Sequence, residues 1–218
     1  MAHAVRLRQA VSLAGRFPVL AGVSLEVDEG SVVHIFGPNG AGKSSLLRLC
    51  SGLLALHSGE GTVLGLDLSC ERRELRRLVG LLGHHHHLYE ELSVEENLRF
   101  FIKAGGCDPA LASSASSRLG LGGRLYSTPV GRLSAGQRRR AALAVLSARD
   151  PRLWLLDEPH AGLDEEARDL VDRLILQATE RGRTVLIASH EKERVGLLAD
   201  RVVHVAGGRV VGEPTYVA

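Results

Sequence analysis

Apolar positions along the chain recur in two rhythms. Unbroken apolar runs occupy Val32-Val33-His34-Ile35-Phe36, Val79-Gly80-Leu81-Leu82-Gly83, Leu153-Trp154-Leu155-Leu156 and Thr184-Val185-Leu186-Ile187-Ala188. Runs of this length, bounded by turn residues, predict buried strands. Residues 5–11 and Val23-Ser24-Leu25-Glu26-Val27 predict a small antiparallel sheet ahead of them, the second strand alternating with period two before a turn at Asp28-Glu29-Gly30. Phe17-Pro18 falls in the connection between these two strands. Helical patterns follow at 46–54, 72–78, 138–148 and 165–180, and another begins at Ser93, where Glu96 completes a capping-box signature, and ends at Gly105-Gly106. Residues 108–130 read as a small-residue helix and a Gly/Pro loop, so that 86–149 forms a helical insertion beside the main sheet. No internal repeat or low-complexity linker divides the chain, which predicts one α/β domain over residues 1–218.

Candidate chemistry sits at the joints of these elements. Gly37-Pro38-Asn39-Gly40-Ala41-Gly42-Lys43-Ser44-Ser45 leaves a buried strand and opens a helix, the context in which G-x-x-x-x-G-K-[ST] is a phosphate loop. Its glycines let successive N–H groups turn inward as an anion nest, and the helix adds the positive end of its dipole. Lys43 offers a fixed charge to the β- and γ-phosphates, and the Ser44 hydroxyl is a hard-oxygen ligand for Mg²⁺. The bland alternative is a glycine-rich turn with a solvent-facing lysine. Chance produces the bare pattern in roughly 1% of chains this size, and the strand–helix context lowers that further. The pattern implies binding of a nucleoside triphosphate.

A second anion site lies far away in the chain. Leu133-Ser134-Ala135-Gly136-Gln137 precedes a strong helix, with Ser134 as N-cap, Gly136 permitting close approach, and Arg138-Arg139-Arg140 as a solvated face. The strand at 153–156 ends in Asp157 and Glu158. Asp157 suits holding Mg²⁺, directly or through water, and Glu158 suits activating a water as general base. Ala161-Gly162-Leu163-Asp164 then leads into a helix, and His190 follows the strand at 184–188. A lone strand-end histidine is often structural; beside this site, contact with the γ-phosphate is the favoured reading. Phe17 either stacks on adenine or covers the edge of the core.

Composition narrows the partners. Net charge is +2 with acids and bases nearly balanced, which predicts no nucleic-acid partner. Cys50, Cys70 and Cys107 lack C-x-x-C spacing, which argues against a disulfide framework or a zinc site and suits a reducing compartment. No apolar stretch reaches membrane-spanning length and no signal core opens the chain, so the expectation is a soluble protein whose membrane work needs other chains. His84-His85-His86-His87 suggests metal binding, but alternate side chains of an extended segment diverge, and a polar active-site loop is favoured.

Together these residues resemble the nucleotide-binding subunits of ATP-binding-cassette (ABC) transporters over essentially the whole chain. The motifs are Walker A (residues 37–45), the LSAGQ signature (133–137), Walker B with its glutamate (153–158), the D-loop (161–164) and the switch histidine, His190. The resemblance implies a P-loop fold with a mostly parallel core sheet, an N-terminal antiparallel β-subdomain and a helical subdomain. It further implies ATP and Mg²⁺, a head-to-tail pair with a second copy or a homologous ATPase subunit, and integral membrane transporter subunits at the cytoplasmic face of the membrane. Each ATP would lie between one chain's Walker A and the partner's Ser134 and Gly136, and Asp164 would belong to the D-loop. The family's Q-loop glutamine falls at His85, with His84 and His86 as alternative registers; nitrogen in place of oxygen implies altered coupling or metal preference. The family's adenine-stacking aromatic falls near Ala14, leaving Phe17 as the substitute. Leu82-Gly83-His84, residues 96–100, residues 137–140 and the short length lean towards the haem-exporter-type ATPase of cytochrome c maturation. A soluble ABC ATPase acting on a macromolecular assembly is the competing reading, but it usually carries tandem cassettes, coiled-coil insertions or zinc modules.

Overall fold

All four unbroken apolar runs become strands. The computed structural model describes residues 2–84, 86–212 and 215–216. In chain order the first elements are β1 (His3–Ala14), β2 (Phe17–Asp28), β3 (Val32–Phe36), α1 (Lys43–Cys50), β4 (Ser58–Val63), β5 (Leu66–Asp67), α2 (Arg72–Leu78) and β6 (Val79–Leu82). Then come α3 (Val94–Ala104), α4 (Leu111–Arg118), α5 (Ala135–Arg149), β7 (Leu153–Asp157), α6 (Glu165–Glu180) and β8 (Thr184–Ala188). The last are α7 (Lys192–Gly196), β9 (Arg201–Ala206), β10 (Arg209–Val210) and β11 (Thr215–Tyr216). Two compact units result. One holds the residues up to Gly83, Arg152–Pro159 and those from Ile175 onward; the other holds His84–Pro151 and His160–Leu174.

The first unit contains both sheets. One is antiparallel in the order β2-β1-β4-β5, and the other runs β10-β9-β3-β8-β7-β6 with β11 also on β9. Strands β9, β3, β8, β7 and β6 are mutually parallel, while β10 and β11 pair antiparallel with β9. Central strands β3, β7 and β8 are buried on both faces, which is why their sequences read as continuous apolar runs rather than alternations. Helix α1 packs Leu46, Leu47, Leu49 and Cys50 into the same core that Val5, Leu7 and Leu25 enter from the antiparallel sheet. Burial pushes the Cys50 thiol up to about 12, so it is inert core filler.

The antiparallel hairpin differs from the predicted one. Strands β1 and β2 are 12 residues each and are joined at Gly15-Arg16, so Phe17 and Pro18 begin β2 instead of lying in a connection. Register shifts along β1, one spanning Gln9 with its φ of 48°, interrupt the alternation that would have revealed its length. Pro18 opposite Leu13 is tolerated because β2 is the outer strand of its sheet.

In the second unit α3, α4 and α5 pack on one another. Both predicted N-caps form capping boxes: Ser93 with Glu96 on α3, and Ser134 with Gln137 on α5. Buried Asn97 ties the approach to α3 together, accepting from the Tyr89 amide at 2.8 Å and donating to the carbonyls of Tyr89, Leu92 and Ser93.

Candidate active site

Three adjacent parallel strands deliver the predicted residues of the first unit to one sheet edge. At their C-terminal ends, β3 opens the loop 37–42, β8 leads to Ser189 and His190, and β7 ends in Asp157 with Glu158 following. The C-terminal edge of a parallel sheet is where such folds place their ligands.

The glycine loop is held in a tight curve. Gly40 and Gly42 have φ of 77° and 105°, and a Cβ on Gly42 would lie 3.0 Å from the Val19 carbonyl oxygen of β2. Gly208, in the turn before β10, braces the loop: its amide donates to the Ala41 carbonyl at 2.8 Å, and its own carbonyl accepts from Ala21 at 2.8 Å. The Lys43 ammonium is buried and donates to the loop carbonyls of Gly37 (2.7 Å) and Pro38 (3.1 Å), which fixes the charge inside the curve. Ser44 and Asp157 add a hydroxyl and a carboxylate, a hard-oxygen pair of the kind Mg²⁺ prefers.

Glu158 is aimed by the two residues that follow β8. Its backbone is left-handed (φ 47°), a strained setting for a non-glycine residue and one that turns the chain just after the amide has paired with Ala188. Ser189 Oγ donates to Glu158 Oε2 at 3.0 Å, the His190 amide donates to Oε1 at 3.2 Å, and His190 Nδ1 lies 3.0 Å from Oε1. Behind them, buried His34 Nε2 donates to the Ser189 carbonyl at 3.0 Å. A hydrogen bond to a charged group is worth about 1.5–3 kcal/mol, so Ser189→Ala is expected to lower kcat by about ten- to a hundredfold, measured by steady-state phosphate release.

Burial holds the His34 pKa below its ordinary 6.5, outweighing the hydrogen bond to Ser189 and the pull of Glu158. Below pH 6.5 the unfolded chain therefore takes up this proton more readily than the folded one. The resulting stability is complete above 6.5 and is lost as pH falls below it. His34→Gln is expected to flatten that acid-side decline, read as the change in melting temperature between neutral and mildly acidic buffer.

The second unit assembles its own set. Ser134, Gly136, Gln137 and Arg140 line a cleft of about 480 Å³ with Gly162 and Asp164. Leu133 is buried beneath the cap and Ala135 opens α5. Asp164 Oδ1 accepts from the Ala167 amide at 2.9 Å and so caps the helix that follows. A cleft with a helix start, a guanidinium and a hydroxyl is suited to an anion.

His85 lies outside the described residues. Phe17 is 78% exposed, at the start of the strand whose Val19 carbonyl faces the glycine loop. His34, Ser189, Gly208 and the pair His160 and Asp172 carry contacts that the motifs do not reveal. Polar residues inside or just past apolar strands are the only local signal for the first two.

Comparisons with known proteins agree with this geometry. A family model described as "ABC transporter" matches residues 20–161. The chain is 35% identical over 178 residues to the "Cytochrome c biogenesis ATP-binding export protein CcmA" of Shewanella sp. (strain MR-7), covering 82% of this chain and 81% of that protein. It is 34% identical over 198 residues to the "Nod factor export ATP-binding protein I" of Rhizobium etli, covering 89% of this chain but only 63% of that protein. Among solved structures, a dimeric post-hydrolysis ATP-binding cassette bound to ADP and Pi superposes with a TM-score of 0.88 at 24% identity, covering 98% of this chain and 99% of that one, which shows the same fold.

Proposed function

Because the chain belongs to the ABC transporter family and is an ATPase of that type, we propose that it is the energy-coupling subunit of a membrane exporter. The observation that carries the pairing is the division of the chemistry. Walker A, Asp157, Glu158 and His190 share one unit, and the signature cleft belongs to a unit with no phosphate loop of its own. A head-to-tail pair, of two copies or with a homologous subunit, supplies each ATP with both sets. Residues 1–218 act as one cassette, with the helical part at about 86–149 as its insertion.

In each site the backbone N–H groups of the 37–45 loop, Pro38 excepted, and Lys43 hold the β- and γ-phosphates. Phe17, at the start of the strand that braces the loop, stacks on the adenine. Ser44 and Asp157 would hold Mg²⁺, which would supply charge neutralisation to the phosphates. Glu158 takes a proton from the water whose oxygen bonds to the γ-phosphorus, the bond from that phosphorus to the β–γ bridging oxygen breaks, and ADP and phosphate leave. His190, 66% exposed and paired with Glu158, is free to turn towards the γ-phosphate. The partner's Ser134, Gly136 and Gln137 complete the phosphate shell, and Asp164 orders the neighbouring loop.

Coupling runs through the helical part, where Tyr89 stacks on Phe101 and Phe100 meets both rings edge-on, at centroid separations of 5.1–5.7 Å, with Tyr89 and Phe100 half exposed. Exposed aromatics of this kind suit contact with a membrane subunit. By its sequence register His85 takes the family's Q-loop position. No helix among the described residues is long and apolar enough to cross a membrane. In this reading those subunits hold the chain at the cytoplasmic face. The resemblance to CcmA supports an exporter of the haem or cytochrome c maturation type. Purification of the Glu158→Gln protein from membranes tests the reading. A small polytopic protein in the complex is the expected result, and only soluble partners would overturn it in favour of a non-transport ATPase.

A further inference from the structure

The loop between β7 and α6 contains a buried histidine, paired with a half-buried acid on α6, that the reaction described above does not use. His160 is 1% exposed, and its Nε2 lies 2.7 Å from Asp172 Oδ1 on α6. Its Nδ1 is buried without a hydrogen-bond partner among the described residues. That assigns the proton to Nε2, which donates to the carboxylate. A polar ring sealed in this way is costly unless its one bond is kept, so the pair has a single favoured arrangement.

The consequences reach the signature cleft within the same unit. The His160 carbonyl accepts from the Leu163 amide at 3.2 Å and closes the turn in which Gly162 has a φ of 73°. That turn presents the Gly162 carbonyl oxygen to α5, where a Cβ on Gly136 would meet it at 3.1 Å. Gly162 and Asp164 line the cleft on one side, and Ser134, Gly136, Gln137 and Arg140 on the other. A shift of the ring would therefore move one wall of the cleft relative to the other.

We propose that His160 is a positioning residue: its hydrogen bond to Asp172 fixes residues 161–164 against the start of α5 and sets the shape of the cleft that closes on the nucleotide bound by a second chain. This rests on the paired-ATPase reading. The test uses the Glu158→Gln protein with Mg·ATP and light scattering. The Glu158→Gln chain alone is expected to double in mass. Adding His160→Phe, which keeps a planar ring without the donor, is expected to weaken pairing by about tenfold, the loss expected for one hydrogen bond to a charged group. Adding His160→Gln, whose amide can reach the same carboxylate, should keep pairing within about twofold of the parent. Affinity for a fluorescent ATP analogue at residues 37–45 should be unchanged in all of them, since that loop belongs to the first unit.

Equal pairing by the Phe and Gln variants, or equal loss in both, would overturn the role of His160 alone. Failure of the Glu158→Gln chain itself to pair would overturn the paired reading, and this proposal with it. If His160→Phe loses analogue binding, His160→Leu takes its place; loss in both assigns His160 to folding and overturns the proposal.

Discussion

Glu158→Gln is expected to lower ATP turnover about a thousandfold while leaving nucleotide affinity within a few-fold of the parent, the magnitude typical of losing a positioned general base. Glutamine has the same length and shape, and its amide oxygen can still accept from Ser189 or the His190 amide. The left-handed backbone at residue 158 makes the same demand of either side chain. What disappears is the group able to take a proton from the attacking water. Steady-state phosphate release, set beside equilibrium binding of an ATP analogue, separates the two quantities. Turnover retained above a tenth of the parent would assign the base elsewhere.

Gly37→Ala acts on binding rather than chemistry. The added Cβ would sit 2.1 Å from the Val205 carbonyl oxygen of β9, far inside contact distance and against backbone that has no rotamer to yield. The loop must retreat by about an ångström, and a misplacement of that size costs on the order of a hundredfold. The clash itself should lower stability by about 1–3 kcal/mol, as overpacking does. Gly40→Ala is the contrast: a Cβ there meets nothing within 4 Å, so only the strain of φ 77° remains. ATP-analogue affinity and thermal melts on both variants check the ordering. Similar losses in the two would show that Val205 is not the obstacle.

The parts legible in the sequence are those with a local cause. Four buried strands show because both of their faces need apolar residues. The caps at Ser93 and Ser134 show because donor and acceptor are three residues apart. The phosphate loop shows because only glycines fit its curve. Long-range polar contacts leave no such trace. His34 meets Ser189 across 155 positions, and Ser189 meets Glu158 across 31, so a polar residue in or just past an apolar strand is the sole local hint, and it does not name the partner in the relay that orients the carboxylate. His160 and Asp172 are only 12 apart, yet the loop between them breaks any helical register that would pair them. The full length of the β1–β2 hairpin is hidden in the sequence by its register shifts, so Phe17, expected in a connection, instead begins β2.

The most direct measurement is the rate of ATP hydrolysis per chain as the concentration of purified protein is raised. A site built from one chain's Lys43 and Glu158 and another's Ser134 and Gly136 requires the rate per chain to climb with concentration and then level off as pairs fill. A rate per chain that is constant over the whole range would mean that a single chain completes the site, and the paired arrangement would be wrong.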